Sequence, residues 1–191
     1  MKKTETDIHG LYTIEPFFAK DDRGFFTKDY LFSFFNTGSS DHKIKEIFYS
    51  FSKKGVIRGL HFQNAKQQQK QVRCLSGNIM DYVVDLRKNS PTFKQWRSFN
   101  LTGPEGIALL IPAGCAHGFI ALEDSVVSYY CTNEFDKDQD SGIRWNDPDI
   151  GIEWPIEKTD EIIISEKDSK LQSFKDFMTN YDVFDQNNDF H

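Results

Sequence analysis

Short runs in which apolar and polar residues alternate dominate the chain from Tyr12 to about Ile163. Each run has about the length of a β-strand, and turn-forming Gly, Asn, Pro and Asp lie between the runs. Examples are KEIFYSFS, GVIRGLHF, KQVRCLSG, GIALLIPAG and SVVSYYCT. Because the intervals leave no room for crossover helices, the pattern predicts an all-β sandwich or barrel.

The run from Ile79 to Leu86 shows what such a strand places on each face. Successive side chains of a strand point to opposite faces, so Asp81 and Asp85 share one face with Ile79 and Val83. Carboxylates that point into a barrel mouth would be candidates for a site. A face turned to solvent explains them more simply, and we therefore expect both aspartates to be exposed.

Two regions depart from the strand pattern. The segment DYLFSFF, from Asp29 to Phe35, favours a short helix. The segment SEKDSKLQSFKDFM, which begins at Ser165, has apolar residues at three- and four-residue spacing, which is typical of a helix. With no internal repeat and no long linker, the sequence predicts a single domain over residues 1–179 and a polar tail over residues 180–191.

Composition narrows the class of protein. With 191 residues, 38% of them apolar, the chain can bury a substantial core. The net charge of −6 gives no electrostatic footprint for nucleic acid or anionic lipid. No stretch approaches the roughly 20 apolar residues of a membrane span, and MKKTETDIHG turns polar where a signal peptide turns apolar. We expect a cytoplasmic protein that contacts neither nucleic acid nor membrane.

Metal binding is the weaker explanation of the strand histidines. The 3 cysteines form no CxxC or CxxxC pair, which favours reduced thiols over zinc ligands. His61 and His117 could supply two ligands of a β-barrel metal site, but such a site needs a third. No HxH pair occurs, and no Glu follows His61 closely. We predict no metal and no cofactor.

Proton transfer at carbon is the alternative chemistry. Removal of a proton beside a ketone needs a base near neutral pKa, a donor to the enolate oxygen and an acid on the opposite face. His61, Lys70 and Tyr129 can fill those roles in that order. Asp168 could orient His61, or it could complete a capping box that begins at Ser165. A single histidine on a strand is more often structural than catalytic. The interpretation as a proton-transfer site therefore depends on all four residues together.

The spacing of Arg58 and His61 raises a geometric difficulty. Residues three apart on a regular strand point to opposite faces. If both side chains serve one site, Gly59 must mark a bulge or a sharp bend, which glycine readily permits. Otherwise one of the two is structural.

A series of motifs makes the chain recognisable. They are DDRGFF at Asp21, SKKGVIRGLHFQ at Ser52, KQVRCLSGNIMDYVVDLRKNSPTFKQW at Lys70, IPAGCAHGFIAL at Ile111, YYCT at Tyr129, GIRWNDPDIGIEWP at Gly142 and SEKD at Ser165. In this order they resemble the dTDP-4-dehydrorhamnose 3,5-epimerase family. The resemblance implies a metal-free, cupin-type jelly roll with a few short helices, notably at the C-terminus.

The resemblance also implies roles for the reacting groups. His61 matches the family's proton acceptor and Tyr129 its proton donor. Lys70 matches the lysine near the sugar ketone, and His117 matches the AHGF histidine of the substrate pocket. Asp168 matches the carboxylate partnered with the catalytic histidine.

Further positions match those that hold the nucleotide sugar. Arg23 and Arg58 match arginines at the diphosphate, where bidentate cationic donors are suited. Phe26, Lys167 and Asp140 match other binding positions, with Asp140 in place of the more usual Glu. The resemblance implies a homodimer in which an N-terminal segment reaches the neighbouring subunit's pocket.

Departures from the family pattern cluster at positions associated with the nucleotide. Lys28 replaces the Glu of DxRGxFxE, while Glu46 and Phe48 replace the family's QxN. A carboxylate can accept from the adjacent N–H and amino groups of guanine, so Glu46 favours GDP slightly over dTDP. The alternative is that Lys28 and Glu46 pair with each other at the surface. Phe135 stands where the family often has a tyrosine beside the base.

The resulting expectation is a cofactor-independent epimerase. It would act at C3, and at C5 as well, on a nucleotide-diphospho-4-keto-6-deoxy sugar in surface (capsule) polysaccharide biosynthesis. The alternatives are a C3-only epimerase, a 3,4-ketoisomerase, and a non-enzymatic protein that binds sugar nucleotides.

Overall fold

The computed structural model describes residues 1–35 and 43–181, so residues 182–191 of the predicted tail lie outside the described residues. The predicted all-β class is confirmed, since two large sheets and one separate hairpin form most of the described structure. No helix within the described ranges is long and apolar enough to cross a membrane.

The first sheet is antiparallel throughout. Its strands are β1 (Lys2–Glu5), β2 (Tyr12–Glu15), β5 (Glu46–Ser52), β7 (Lys70–Ser76), β10 (Ala108–Ile111) and β12 (Ser125–Cys131). They lie in the order β1, β2, β10, β7, β12, β5. The strand β5 is therefore an edge strand that pairs only with β12 among the described residues.

The second sheet carries most of the recognised motifs. Its strands are β6 (Val56–Gln63), β8 (Asn78–Asp85), β9 (Trp96–Thr102), β11 (Cys115–Ala121) and β13 (Asp140–Gly142). They lie in the order β13, β6, β11, β8, β9, and the short β14 (Ile163–Ile164) pairs parallel with β6. The separate hairpin consists of β3 (Phe17–Asp21) and β4 (Gly24–Lys28).

The helices are short. The first, α1 (Phe32–Phe35), lies within the predicted segment. The C-terminal segment predicted as helical forms two helices, α2 (Glu166–Ser169) and α3 (Phe174–Thr179), with a break between them. The break occurs because Gln172 pairs with Ile143 as an isolated bridge and the Ser173 hydroxyl caps a new helix.

The main core lies between the two sheets. Side chains of both sheets meet there, including Val72 and Val127 from the first and Val83 and Phe119 from the second. A second core covers the other face of the second sheet with residues of α3 and of the segment 143–154. A third covers part of the first sheet with Phe35 of α1. Both faces of the second sheet are therefore buried.

The expectation that Asp81 and Asp85 are exposed is wrong. Both are fully buried on β8, because the face that they share with Ile79 and Val83 packs against the first sheet in the main core. Asp85 accepts hydrogen bonds from Arg87, Ser90 and Thr92 and is structural. Asp81 faces the candidate site.

A bulge in β6 settles the orientation of Arg58 and His61. His117 lies opposite His61 and Phe119 lies opposite Arg58, so β6 has one more residue than β11 between these points. The extra residue lets both side chains point to the same side of the sheet. Gly59 makes the bulge, with φ of +119. The bend predicted at this glycine is confirmed.

We expect Gly59→Ala to be strongly destabilising. An added Cβ would lie 2.6 Å from Gly118 Cα and 2.8 Å from His117 O. Gly24 is a matched control, because its φ of +127 is similar and nothing lies within 4 Å of an added Cβ. In urea unfolding, Gly24→Ala should cost about 1–2 kcal/mol and Gly59→Ala about 2–5 kcal/mol. Equal losses would contradict a steric role for the contact.

Candidate active site

One pocket lies where the two sheets face each other. His61 and Arg58 enter it from β6 and His117 from β11, whereas Lys70 and Tyr129 enter from β7 and β12 of the opposite sheet. Ligand sites are typically concave and mostly apolar, with a few convergent polar groups. The structure therefore brings together five of the predicted residues from four strands, two of them in each sheet.

His61 and Asp168 form a hydrogen-bonded dyad. His61 Nε2 lies 2.9 Å from Asp168 Oδ1, and the Gly59 N–H donates to Asp168 Oδ2 at 3.1 Å. With Nε2–H donated to the carboxylate, Nδ1 is the ring nitrogen that can accept a proton. Burial works against ionisation of Asp168, but the hydrogen bonds from His61, Gly59 and Ser165 outweigh it and hold the pKa of this carboxyl below its usual range.

Asp168 is at the same time part of a helix cap. Its backbone N–H donates to the Ser165 hydroxyl at 3.0 Å at the start of α2. Its side chain turns to His61 and Gly59. The sequence offers the cap and the histidine contact as alternatives, and the structure contains both. The cap fixes the backbone of Asp168 while the carboxylate remains available to the histidine.

A second histidine–aspartate pair lies beside the first. His117 Nε2 is 2.6 Å from Asp81 Oδ2, and His117 and His61 are direct partners across β11 and β6. Burial raises the pKa of Asp81. Asp81 Oδ1 has no hydrogen-bond partner among the described residues. Sequence reasoning did not include Asp81 in the site, although the alternation along β8 had already singled out its carboxylate.

Lys70 is a half-buried cation directed into the pocket. Burial lowers the pKa of its ammonium, and nearby Cys131 and Asp81 partly oppose that change. Within the described ranges no carboxylate forms an ion pair with Lys70. The charge is therefore available to an anion that forms in the pocket.

Tyr129 provides a phenol that stays protonated. The residue is 8% exposed, and burial raises the pKa of its hydroxyl, with Asp81 raising it further. The His117 ring meets it edge-on with centroids 6.1 Å apart. The ring of Phe48 is stacked on the phenol at a centroid distance of 4.6 Å. At neutral pH this phenol can donate a proton but is not a base.

Positions predicted for the nucleotide divide into two groups. Arg58, Phe135, Asp140 and Lys167 line the pocket, and Lys167 pairs with Asp140 at its rim. Arg58 also donates to the Ser52 hydroxyl at 2.9 Å, which orients its guanidinium.

The second group lies on the hairpin and does not line the pocket of its own chain. Arg23, Phe26 and Lys28 belong to the β3–β4 hairpin, and Arg23 is highly exposed and paired with Asp21. The ion pairs formed by the described residues do not include one between Lys28 and Glu46. Glu46 instead accepts a hydrogen bond from the Phe135 N–H at 2.7 Å.

The cysteines are buried and free. Burial raises the pKa of Cys74 and Cys131 to about 11 and that of Cys115 to about 12. These thiols stay protonated at neutral pH and act as small apolar side chains. Within the described ranges no group of three or more His, Cys, Asp or Glu is placed to hold a metal ion.

Comparison with known proteins places the chain beside sugar-nucleotide epimerases. The family model of dTDP-4-dehydrorhamnose 3,5-epimerase matches residues 5–176. A protein of that name from Methanothermobacter thermautotrophicus is 42% identical over 173 residues, which are 90% of this chain and 94% of the relative.

Two solved structures share the fold. The dTDP-6-deoxy-D-glucose-3,5-epimerase of Legionella pneumophila, solved with dTDP-4-keto-L-rhamnose, is 34% identical with a TM-score of 0.85, over 91% of this chain and 93% of that chain. The Mycobacterium tuberculosis rmlC epimerase is 32% identical with a TM-score of 0.88, over 98% of this chain and 100% of that chain. The predicted cupin-type jelly roll is confirmed by this likeness.

We expect Asp168→Asn to lower the free energy of unfolding at neutral pH by about 1–3 kcal/mol, because His61 and Gly59 lose a charged acceptor. A carboxyl group whose pKa falls on folding stabilises the folded state above its unfolded pKa of about 3.9. That contribution is lost as the pH falls through the lowered folded value. The difference between the parent and the variant should therefore shrink below about pH 4.

Chemical unfolding at a series of pH values measures this difference. Asp149→Asn is the control, since the Asp149 side chain is exposed and forms no ion pair with any described residue. Its unfolding free energy should match that of the parent across the series. An undiminished Asp168→Asn difference at the lowest pH would show that the stabilisation does not come from the ionised carboxylate.

Proposed function

The chain belongs to the dTDP-4-dehydrorhamnose 3,5-epimerase family and is an isomerase of sugar nucleotides, and we propose that it inverts C3 and C5 of a dTDP-linked 4-keto-6-deoxy sugar without cofactor or metal. The observation that carries the proposal is the placement of His61, held by Asp168 of α2, on one sheet and of Tyr129 on the other. A sugar between the sheets would have a base on one side and an acid on the other.

The proposed reaction balances without a co-reactant. The ketone at C4 acidifies the hydrogens on C3 and C5. His61 takes one of these protons and becomes an imidazolium, which the Asp168 carboxylate stabilises. The electron pair moves to the ketone oxygen, where the Lys70 ammonium stabilises the enolate. Tyr129 then returns a proton to the carbon from the opposite face, and exchange with water restores both side chains.

The diphosphate is proposed to lie at the rim of the same pocket. Arg58 and Lys167 are the cations there, and guanidinium suits bidentate contact with phosphate. The ion pair of Lys167 with Asp140 would loosen or rearrange when a diphosphate competes for the ammonium.

For the base we propose thymine in preference to guanine. The slight preference for GDP depended on a free Glu46 carboxylate. One oxygen of that carboxylate already accepts from the Phe135 N–H. The relatives are named for dTDP-linked sugars. A GDP-linked sugar remains the alternative that an assay with both nucleotides distinguishes, and surface-polysaccharide biosynthesis is the proposed context.

Incubation in heavy water with dTDP- and GDP-linked 4-keto-6-deoxy sugars tests the reaction. We expect deuterium at both C3 and C5, with faster exchange on the dTDP sugar. His61→Ala should slow exchange by about a hundred- to ten-thousandfold, the range of a general base, with nucleotide affinity little changed. Tyr129→Phe should reduce inversion more than exchange, because the base remains intact.

Mass and NMR analysis of the products separates the rivals. Deuterium at C3 alone indicates a monoepimerase, and a keto group moved to C3 indicates a ketoisomerase. No incorporation from either nucleotide, with binding retained, indicates a sugar-nucleotide-binding protein. A fully active His61→Ala variant would rule out the assigned base.

We also propose a homodimer in which the N-terminal segment of each chain completes the pocket of the other. Arg23 and Phe26 lie on the hairpin, away from their own pocket. Ile47, Tyr49 and Phe51 are 54–75% exposed along the edge strand β5. Monomers rarely expose apolar surface of this kind without a partner.

Mixing two inactive variants tests the exchange of segments. Arg23→Ala and His61→Ala homodimers should each be poorly active. Heterodimers should regain activity, because one of their two pockets has an intact His61 and receives an intact Arg23 from the other chain. Refolding the two variants together and assaying the mixture measures this. If Arg23 served its own pocket, the mixture would stay as inactive as its components.

A further inference from the structure

Phe48 occupies an unusual position on the inner face of the edge strand β5. It lies directly opposite Tyr129 across the β5–β12 pair. The two rings are stacked with centroids 4.6 Å apart and planes 14° from parallel. Phe48 is 41% exposed and lines the pocket, whereas Tyr129 is 8% exposed. The phenylalanine ring thus covers one face of the phenol at the side of the pocket.

The core of the sheet does not require an aromatic ring at this point. The main apolar core between the sheets includes Tyr129 but not Phe48. Among the described residues the strand of Phe48 pairs only with β12, and the side chain is 41% exposed, so its burial contributes little to folding. Cross-strand aromatic pairs nevertheless restrain each other's rotamers, because offset stacking is favoured over other arrangements.

The stack and the edge-on ring of His117 restrain Tyr129 from two directions. If the phenol ring turned out of its plane, it would clash with the ring of His117 or lose its stacking contact with Phe48. The phenol oxygen lies on the χ2 axis and does not move when the ring turns, but the O–H bond prefers the plane of the ring. Since χ2 of tyrosine is a broad torsion, the packing that fixes this plane also fixes the direction in which the proton is offered. An acid that must protonate one face of a planar carbon depends on that direction.

We propose that Phe48 is a positioning residue for Tyr129: it holds the plane of the phenol and keeps water from it, so that the returning proton reaches the carbon opposite His61. The proposal rests on the proposed epimerase reaction. An enolate is planar at the reacting carbon and accepts a proton on either face. Water admitted beside Tyr129, or a phenol turned away, would return the proton without consistent inversion.

Three variants test this role. Phe48→Leu removes the ring but keeps an apolar side chain, and Phe48→Tyr keeps the ring. Phe93→Leu is the matched control, because Phe93 is a partly buried phenylalanine in aromatic contact with Phe174 on the far side of the second sheet. Each variant is assayed in heavy water for deuterium exchange and for inversion, with kcat and KM determined separately.

We expect Phe48→Leu to lower kcat for inversion by roughly two- to tenfold, the range that one aromatic stack allows, with a smaller change in KM. Its rate of exchange should fall less, so the ratio of inversion to exchange decreases. Phe48→Tyr should restore the ratio, and Phe93→Leu should leave it unchanged. An unaltered ratio in Phe48→Leu, or a change confined to KM, would overturn the proposal.

A titration without substrate keeps this test independent of the reaction. Burial raises the pKa of the Tyr129 hydroxyl, Asp81 on β8 raises it further, and Arg58 on β6 opposes them. Loss of the Phe48 ring exposes the phenol, so its tyrosinate absorbance should develop at lower pH in Phe48→Leu. The signal is assigned by subtracting the curve of Tyr129→Phe.

The titration and the assay of inversion together distinguish a failure of the proposed role of Phe48 from a failure of the proposed reaction. A shifted titration in a protein that inverts no sugar would refute the proposed reaction while retaining the contact. A Tyr129 titration that is identical in the parent and in Phe48→Leu would refute the shielding by Phe48, whatever the enzyme activity. Phe93→Leu should titrate as the parent does, and a shift there would show that the change is not specific to the stack.

Discussion

The close approach of Gly59 to Gly118 is the contact on which the site depends. Neither residue has a side chain, so the backbones of β6 and β11 come near enough for β6 to carry an extra residue. That residue turns Arg58 to the same side as His61. The same distortion points the Gly59 N–H at Asp168, which in turn holds the His61 ring. The lack of side chains at these two glycines therefore orients His61, Asp168 and Arg58 together.

The two sheets contribute different kinds of side chain to the pocket. The second sheet contributes the histidines, each with a buried aspartate as its partner. The first contributes Lys70 and Tyr129, whose surroundings are largely apolar. A jelly roll keeps the two sets apart across its core, so a substrate between them meets a proton acceptor and a proton donor on opposite sides. Inversion requires that separation, which a site built on a single strand pair would not provide.

The alternation of residues predicted the strands because each inward face must be apolar, and the spacing of Arg58 and His61 predicted the bulge. Asp81 was misjudged because alternation shows which residues share a face but not what covers that face. Here strands of the first sheet, including β12 with Val127, cover it across the main core. The break before Ser173 was missed for a similar reason, since it depends on a pairing with Ile143. Contacts between distant segments carry no local signal.

The pKa directions in the pocket agree with a reaction that passes through an anion. Burial keeps Tyr129 protonated, and hydrogen bonds keep Asp168 ionised, which are the states that an acid and an orienting carboxylate need. Lys70 is the exception, because burial lowers the pKa of its ammonium, Asp81 opposes that change only in part, and no described carboxylate forms an ion pair with it. An enolate oxygen formed beside it would supply the missing partner. Lys70 thus interacts more strongly with the enolate than with the neutral ketone, and that difference lowers the barrier.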